Sequence, residues 1–117
     1  MRTHKDLIVW QKAMELVENV YRVSRKLPRE ERFGICSQIQ RAAVGIPSNI
    51  AEGAKREHKL EYVQFLAIAN GSSAELETQL LLIAKLYPKT SNEINLITSD
   101  IEEIQRMIYS LMKSLKR

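Results

Sequence analysis

Few side chains in this sequence could do chemistry, and their spacing argues against catalysis. His4 and His58 are far apart, and neither belongs to a metal-ligand spacing. Cys36 is the single cysteine; flanked by apolar helix positions and without an adjacent base, it reads as a small buried hydrophobe rather than a reactive thiolate. Ser48, Ser72 and Ser73 lack a nucleophile motif such as GxSxG. Glu52, Glu75 and Glu77 could face inward like the carboxylates of a di-metal bundle, but the Glu-x-x-His pairs of such sites are absent. Gly45, Gly53 and Gly71 match no phosphate-binding loop. The expectation is a non-enzymatic protein with no cofactor and no metal. An enzymatic reading would need an enclosed polar pocket, lined for instance by Arg41, Asn49, Glu52 and Glu75.

What remains is positive charge and an unusual helix. The chain has 117 residues, 44% hydrophobic and 27% charged, with a net charge of +4. That is an ordinary globular composition, long enough for a single domain over residues 1–117 with a core that needs no disulfide. The basic balance permits an RNA or DNA partner without requiring one. No stretch approaches the roughly 20 apolar residues of a membrane span, and the amino terminus lacks a long apolar leader segment, so the cytoplasm is the expected compartment.

The organising stretch is QIQRAAVGIPSNIAEGAKR, Gln38 to Arg56. Ile35, Ile39, Ala42, Ile46 and Ile50 keep helical spacing across Pro47. Pro47 has no N–H for the carbonyl of Ala43, so the helix is expected to kink there rather than stop. The small and polar residues Gly45, Asn49, Glu52 and Gly53 suggest close approach by a neighbouring helix.

Three more helices surround it. Helix 1 is expected from about Asp6 to Lys26, with one stripe of Val9, Ala13, Leu16, Val20, Val23 and Leu27 and a second of Leu7, Trp10, Met14, Val17 and Tyr21. A face this wide suits contact with two neighbours. Pro28 or Arg29 can open helix 2, which ends near Arg56. Helix 3 spans roughly Lys59 to Leu86, its seam unbroken through Ser73. Helix 4 starts with a capping box of Thr90 and Glu93 and carries a stripe from Ile94 to Leu115. Short connections imply an up-down-up-down antiparallel four-helix bundle.

If helices 2 and 3 meet at a turn near Glu57 and His58, Ala42 faces Ser73, Ala43 faces Ser72, and Gly45 faces Asn70 or Gly71. Gln38 then falls near Glu77, and Arg41 near Glu75, with which a partly buried Arg41 would form an ion pair. The same topology gathers cations at two rims. Arg22, Arg25, Lys26, Arg29, Arg32, Lys85 and Lys89 outnumber three acids at one end, a net of +4. Arg2, Lys5, Lys55, Arg56, Lys59, Lys113, Lys116 and Arg117 outnumber three acids at the other, a net of +5. Such ends could bind phosphates, and they equally fit ordinary solvated surface. No aromatic is read as interleaved with either cluster, which argues against single-strand stacking.

These motifs carry a resemblance. ERFGICSQIQRAAVGIPSNIAEGAKR followed by YVQFLAIANGSSAELETQLLLIAKL resembles the four-helix-bundle proteins called 23S rRNA-intervening sequence proteins, and the likeness extends from DLIVWQKAMEL to the last helix. The resemblance implies a homopentamer around a central channel. It also implies a relationship to the accessory variability determinant of diversity-generating retroelements, a basic pentamer that binds a reverse transcriptase and nucleic acid. Members commonly carry paired arginines where this chain has Gln40 and Arg41, a basic residue at Asn70, and a serine at Gly45. The leading expectation is an oligomeric interaction protein whose basic rims engage RNA or DNA. The alternative is a protein-binding adaptor with little nucleic-acid affinity of its own.

Overall fold

The four apolar stripes become four long helices in the computed structural model, which describes residues 3–117. They are α1 (Ile8–Ser24), α2 (Ile35–Ala54), α3 (Lys59–Leu86) and α4 (Ser91–Leu115), and no strand occurs among the described residues. Short 3-10 turns precede three of them: His4–Asp6, Arg29–Glu31 and Pro88–Thr90. Contacts join α1 to α2, α2 to α3, α3 to α4 and α4 back to α1, with the α2–α3 pair the most extensive. This closed circuit makes a rod of 45 × 23 × 20 Å.

The core follows the expected periodicity. Val9, Ala13, Leu16, Val20 and Val23 of α1 meet Ile39, Ala43, Ile46 and Ile50 of α2, Leu66, Leu76, Leu80 and Ile83 of α3, and Ile94, Ile101, Ile104 and Ile108 of α4. Each fully buried Val, Leu or Ile among them contributes about 1.5–3 kcal/mol. Cys36 is buried in the same core. The second stripe of α1 is covered less completely: Trp10, Val17 and Tyr21 are half-buried and Met14 is 43% exposed.

Helix α2 runs unbroken through Pro47, whose ring is buried, and α3 runs unbroken through Gly71. The helix ends depart from expectation in two places. Pro28 lies in extended backbone (φ −57°, ψ 150°) outside any helix, so it introduces the 3-10 turn at Arg29–Glu31, and α2 begins only after Gly34. The Thr90 capping box does not form. Thr90 is itself in a helical conformation, its hydroxyl donates to the Tyr87 carbonyl at 2.7 Å, and Glu93 pairs with Lys26 instead. A capping box does occur at Thr3, whose side chain accepts from the Lys5 N–H while Asp6 accepts from the Thr3 N–H.

The α2–α3 contact is close, but its register differs by about two residues from the expected one. A Cβ on Gly45 would lie 3.0 Å from Ser72 Oγ, and Gln79 Nε2 donates to Gln38 Oε1 at 3.3 Å, so Gly45 faces Ser72 and Gln38 faces Gln79. A Cβ on Gly53 would lie 2.8 Å from Phe65 Cβ and 3.0 Å from Tyr62 Cδ1. Tyr62 and Phe65 of α3 thus seat against the bare backbone at Gly53. Gly71 has nothing within 4 Å of its would-be Cβ and faces outward.

Candidate nucleic-acid interface

The polar residues of the organising stretch are scattered over the surface and the helix contacts. Arg41 and Glu75 are both exposed and neither forms an ion pair among the described residues, as the small gain of a surface pair allows. Glu52 pairs with Arg56 one turn away at 2.9 Å, on the surface. Asn49 turns back on its own helix and donates to the Gly45 carbonyl at 2.7 Å. Ser73 is buried, donating to the Asn70 carbonyl at 2.7 Å and accepting from Gln105 Nε2 at 3.0 Å, so it ties α3 to α4. His4 packs edge-on against Trp10, and His58 sits exposed before α3. Gln38, Pro47 and Gly53 serve the helix contacts already described.

The basic residues behave differently at the two ends. Arg25, Arg29 and Arg32 line one hollow of about 440 Å³ where α1 gives way to α2. Two ties position them. Ser24 at the end of α1 donates to the Tyr21 carbonyl and accepts from Gln40 Nε2 at 3.0 Å, while its own carbonyl receives the Cys36 thiol at 3.5 Å. On the other side, Tyr87 Oη donates to Glu31, pinning the 3-10 turn to the α3–α4 connection. That hydrogen bond raises the Tyr87 hydroxyl above its ordinary pKa, with burial adding to it. Burial likewise pushes the Cys36 thiol up, followed by the charge of Glu31. A raised thiol pKa means less thiolate at neutral pH and an unreactive cysteine.

None of Arg25, Arg29 and Arg32 has an ion-pair partner among the described residues. Their neighbours at the same end are more engaged. Lys26 pairs with Glu93 and Arg22 donates to Asn19, while Lys89 is exposed. Of the other expected cations, Lys55, Lys59, Lys113 and Lys116 are exposed, and Arg56 pairs with Glu52. Arg2 lies outside the described residues.

Aromatics do accompany both clusters, contrary to expectation. Arg32 lies over the ring of Phe33 at 5.2 Å, Arg56 over Phe65 at 4.6 Å and Lys113 over Tyr109 at 5.5 Å. Phe33 is 87% exposed and lines the arginine hollow. The signal was present in the sequence, since Arg32-Phe33-Gly34 places an aromatic directly inside the charged turn. Its exposure was not, because apolar residues near helix starts usually fold inward.

Apolar surface is the other conspicuous feature. Leu60, Ile68, Leu81, Leu82 and Leu86 of α3 are exposed. Between α1 and α2, Trp10, Met14, Val17, Val44, Pro47 and Ala51 line a hollow of about 350 Å³. No helix among the described residues is long and apolar enough to cross a membrane.

Comparison with curated proteins finds no match. The fold is similar to a crystal structure of a protein of unknown function from the S23 ribosomal protein family of Bacteroides thetaiotaomicron VPI-5482. The TM-score is 0.83 at 25% identity, over 91% of this chain and 99% of that one. The family model for 23S rRNA-intervening sequence proteins matches residues 5–110, nearly the full length of the four helices just described. The chain therefore belongs to the 23S rRNA-intervening sequence protein family.

Proposed function

We propose that this protein is a non-enzymatic, oligomeric interaction module whose basic rims bind RNA or DNA through phosphates. The observation that carries this reading is the hollow where Arg25, Arg29 and Arg32 stand together without acidic partners. Guanidiniums free of carboxylates can neutralise phosphates directly, and the cations condensed on the nucleic acid that they displace are released with a gain in entropy.

Assembly is part of the proposal. The exposed leucines of α3 are more than isolated apolar residues, because α3 is apolar around much of its circumference, as expected of a helix covered on more than one side. The homopentamer implied by family resemblance would cover such a face and repeat each rim around an axis, multiplying weak phosphate contacts. A bend of α2 at Pro47, where the Ala43 carbonyl lacks its usual donor, would fit that helix to its neighbours.

Two measurements test the reading. Solution mass should be five times the 13.5 kDa chain. Affinity for structured RNA should fall steeply with salt and should be lost on charge reversal of Arg22, Arg25, Lys26, Arg29, Arg32 and Lys89 together with Lys55, Arg56, Lys59, Lys113 and Lys116. RNA binding that survives both reversals sinks the rim model.

The apolar hollow between α1 and α2 favours a second reading, a protein-binding adaptor related to the accessory variability determinant, with a polymerase or reverse transcriptase as partner. Capture of a partner that persists after nuclease treatment would favour the adaptor over the nucleic-acid binder.

A further inference from the structure

We infer that the hollow at the α1–α2 junction is a single-strand site, in which an unpaired base stacks on Phe33 while the adjoining phosphates lie on Arg25, Arg29 and Arg32. This rests on the rim reading above and names the form of nucleic acid that one rim takes. Three observations meet at this place. The first is the ring itself: Phe33 is 87% exposed, an arrangement that costs hydrophobic free energy unless something covers it. Arg32 lies over one face of the ring at 5.2 Å, which leaves the opposite face for a base. A base between solvent and ring, with a guanidinium behind, is the layered arrangement that stacking platforms use.

The second observation is the charge. Three arginines, spaced four and three residues apart along the chain, line the same hollow, and none forms an ion pair among the described residues, although Glu30 and Glu31 lie in the same turn. The third is size and lining. At about 440 Å³ the hollow falls within the roughly 300–1,000 Å³ of small-molecule sites, and Ser37 and Gln40 add hydrogen-bonding groups to its wall. The first turn of α2 borders it as well, where backbone N–H groups without intrahelical acceptors favour an anion. A duplex keeps its bases stacked on each other and offers no face to Phe33, so the site discriminates by strandedness rather than by sequence.

The test measures binding of fluorescein-labelled ten-residue oligouridylate, a ten-base-pair RNA duplex and unlabelled AMP to the full chain by anisotropy. Phe33→Ala should weaken the single strand by about five- to 150-fold, the range expected for one stacked base, and leave the duplex unchanged. Because the ring is exposed, thermal melts of this variant should match the wild type. Phe33→Trp should bind the single strand and lose fluorescence on doing so. Replacing Arg25, Arg29 and Arg32 by Gln should weaken both nucleic acids and lower the salt slope for the strand by about 0.7 for each phosphate no longer neutralised. If Phe33→Ala leaves the strand's affinity intact while the arginine changes reduce it, the stacking site is wrong and the rim reading stands. If AMP displaces the strand at equal concentration, the occupant is a free nucleotide, and if polyglutamate does so, it is an acidic protein segment; either overturns the strand assignment. If the wild type binds neither nucleic acid at low salt, the rim reading falls first and takes this site with it.

Discussion

Gly53 of α2 and Gly71 of α3 look alike in sequence, each a glycine inside a helix among small residues, yet they occupy opposite environments. A Cβ at Gly53 would collide with Phe65 and Tyr62, while one at Gly71 would meet nothing within 4 Å. The first glycine is where two helices touch; the second faces outward from a helix whose contact residues lie elsewhere. Small residues on two adjacent helices therefore do not all face each other: Gly45 meets Ser72, Gly53 meets Phe65 and Tyr62, and Gly71 meets nothing. At Gly53 the bare backbone admits Phe65 and Tyr62, and on α3 the buried polar residue is Ser73, held by Gln105 of α4.

The largest expected effect breaks the tight side of this comparison. Gly53→Ala should lose about 1–3 kcal/mol in urea denaturation, the usual range for overpacking, even though alanine favours a helix. Unchanged stability would mean that Tyr62 and Phe65 do not seat there. Ser73→Ala should cost about 1 kcal/mol by leaving Gln105 without its acceptor, read in the same titration. Gly71→Ala should act in the other direction and stabilise by about 0.8–1 kcal/mol, because it gains helix propensity without a clash.

A smaller effect concerns Tyr62, whose buried hydroxyl has no hydrogen-bond partner among the described residues. Tyr62→Phe should be neutral or stabilising by up to about 1 kcal/mol. Burial raises the Tyr62 pKa above 10.0, so its neutral form is the one the fold favours. That contribution is present below pH 10 and is lost as pH rises through the higher folded value. The alkaline loss of stability should accordingly be shallower in Tyr62→Phe, as a comparison of melts between about pH 9 and 11 would read. Smallest of all, Arg41→Met should change the melting midpoint little, within about 0.5 kcal/mol, since the guanidinium is exposed and unpaired. A large loss there would restore the ion pair to Glu75 that the structure lacks.

Local pattern and tertiary fit thus divided the protein between them. The sequence alone determined the four helices, the continuity of α2 through Pro47 and of α3 through Gly71, and the aliphatic core, because a repeat of three and four residues is a property of neighbours along one chain. Only the tertiary structure decided the α2–α3 register, which sets Gly45 against Ser72 and Gln38 against Gln79. It alone decided that Glu93 reaches across to Lys26 instead of capping its own helix, and that Arg41 needs no partner. The exposed ring of Phe33 among three arginines belongs to the same class. Whether a side chain faces a neighbour, a cavity or water is set by packing between segments distant along the chain, and no local spacing encodes that.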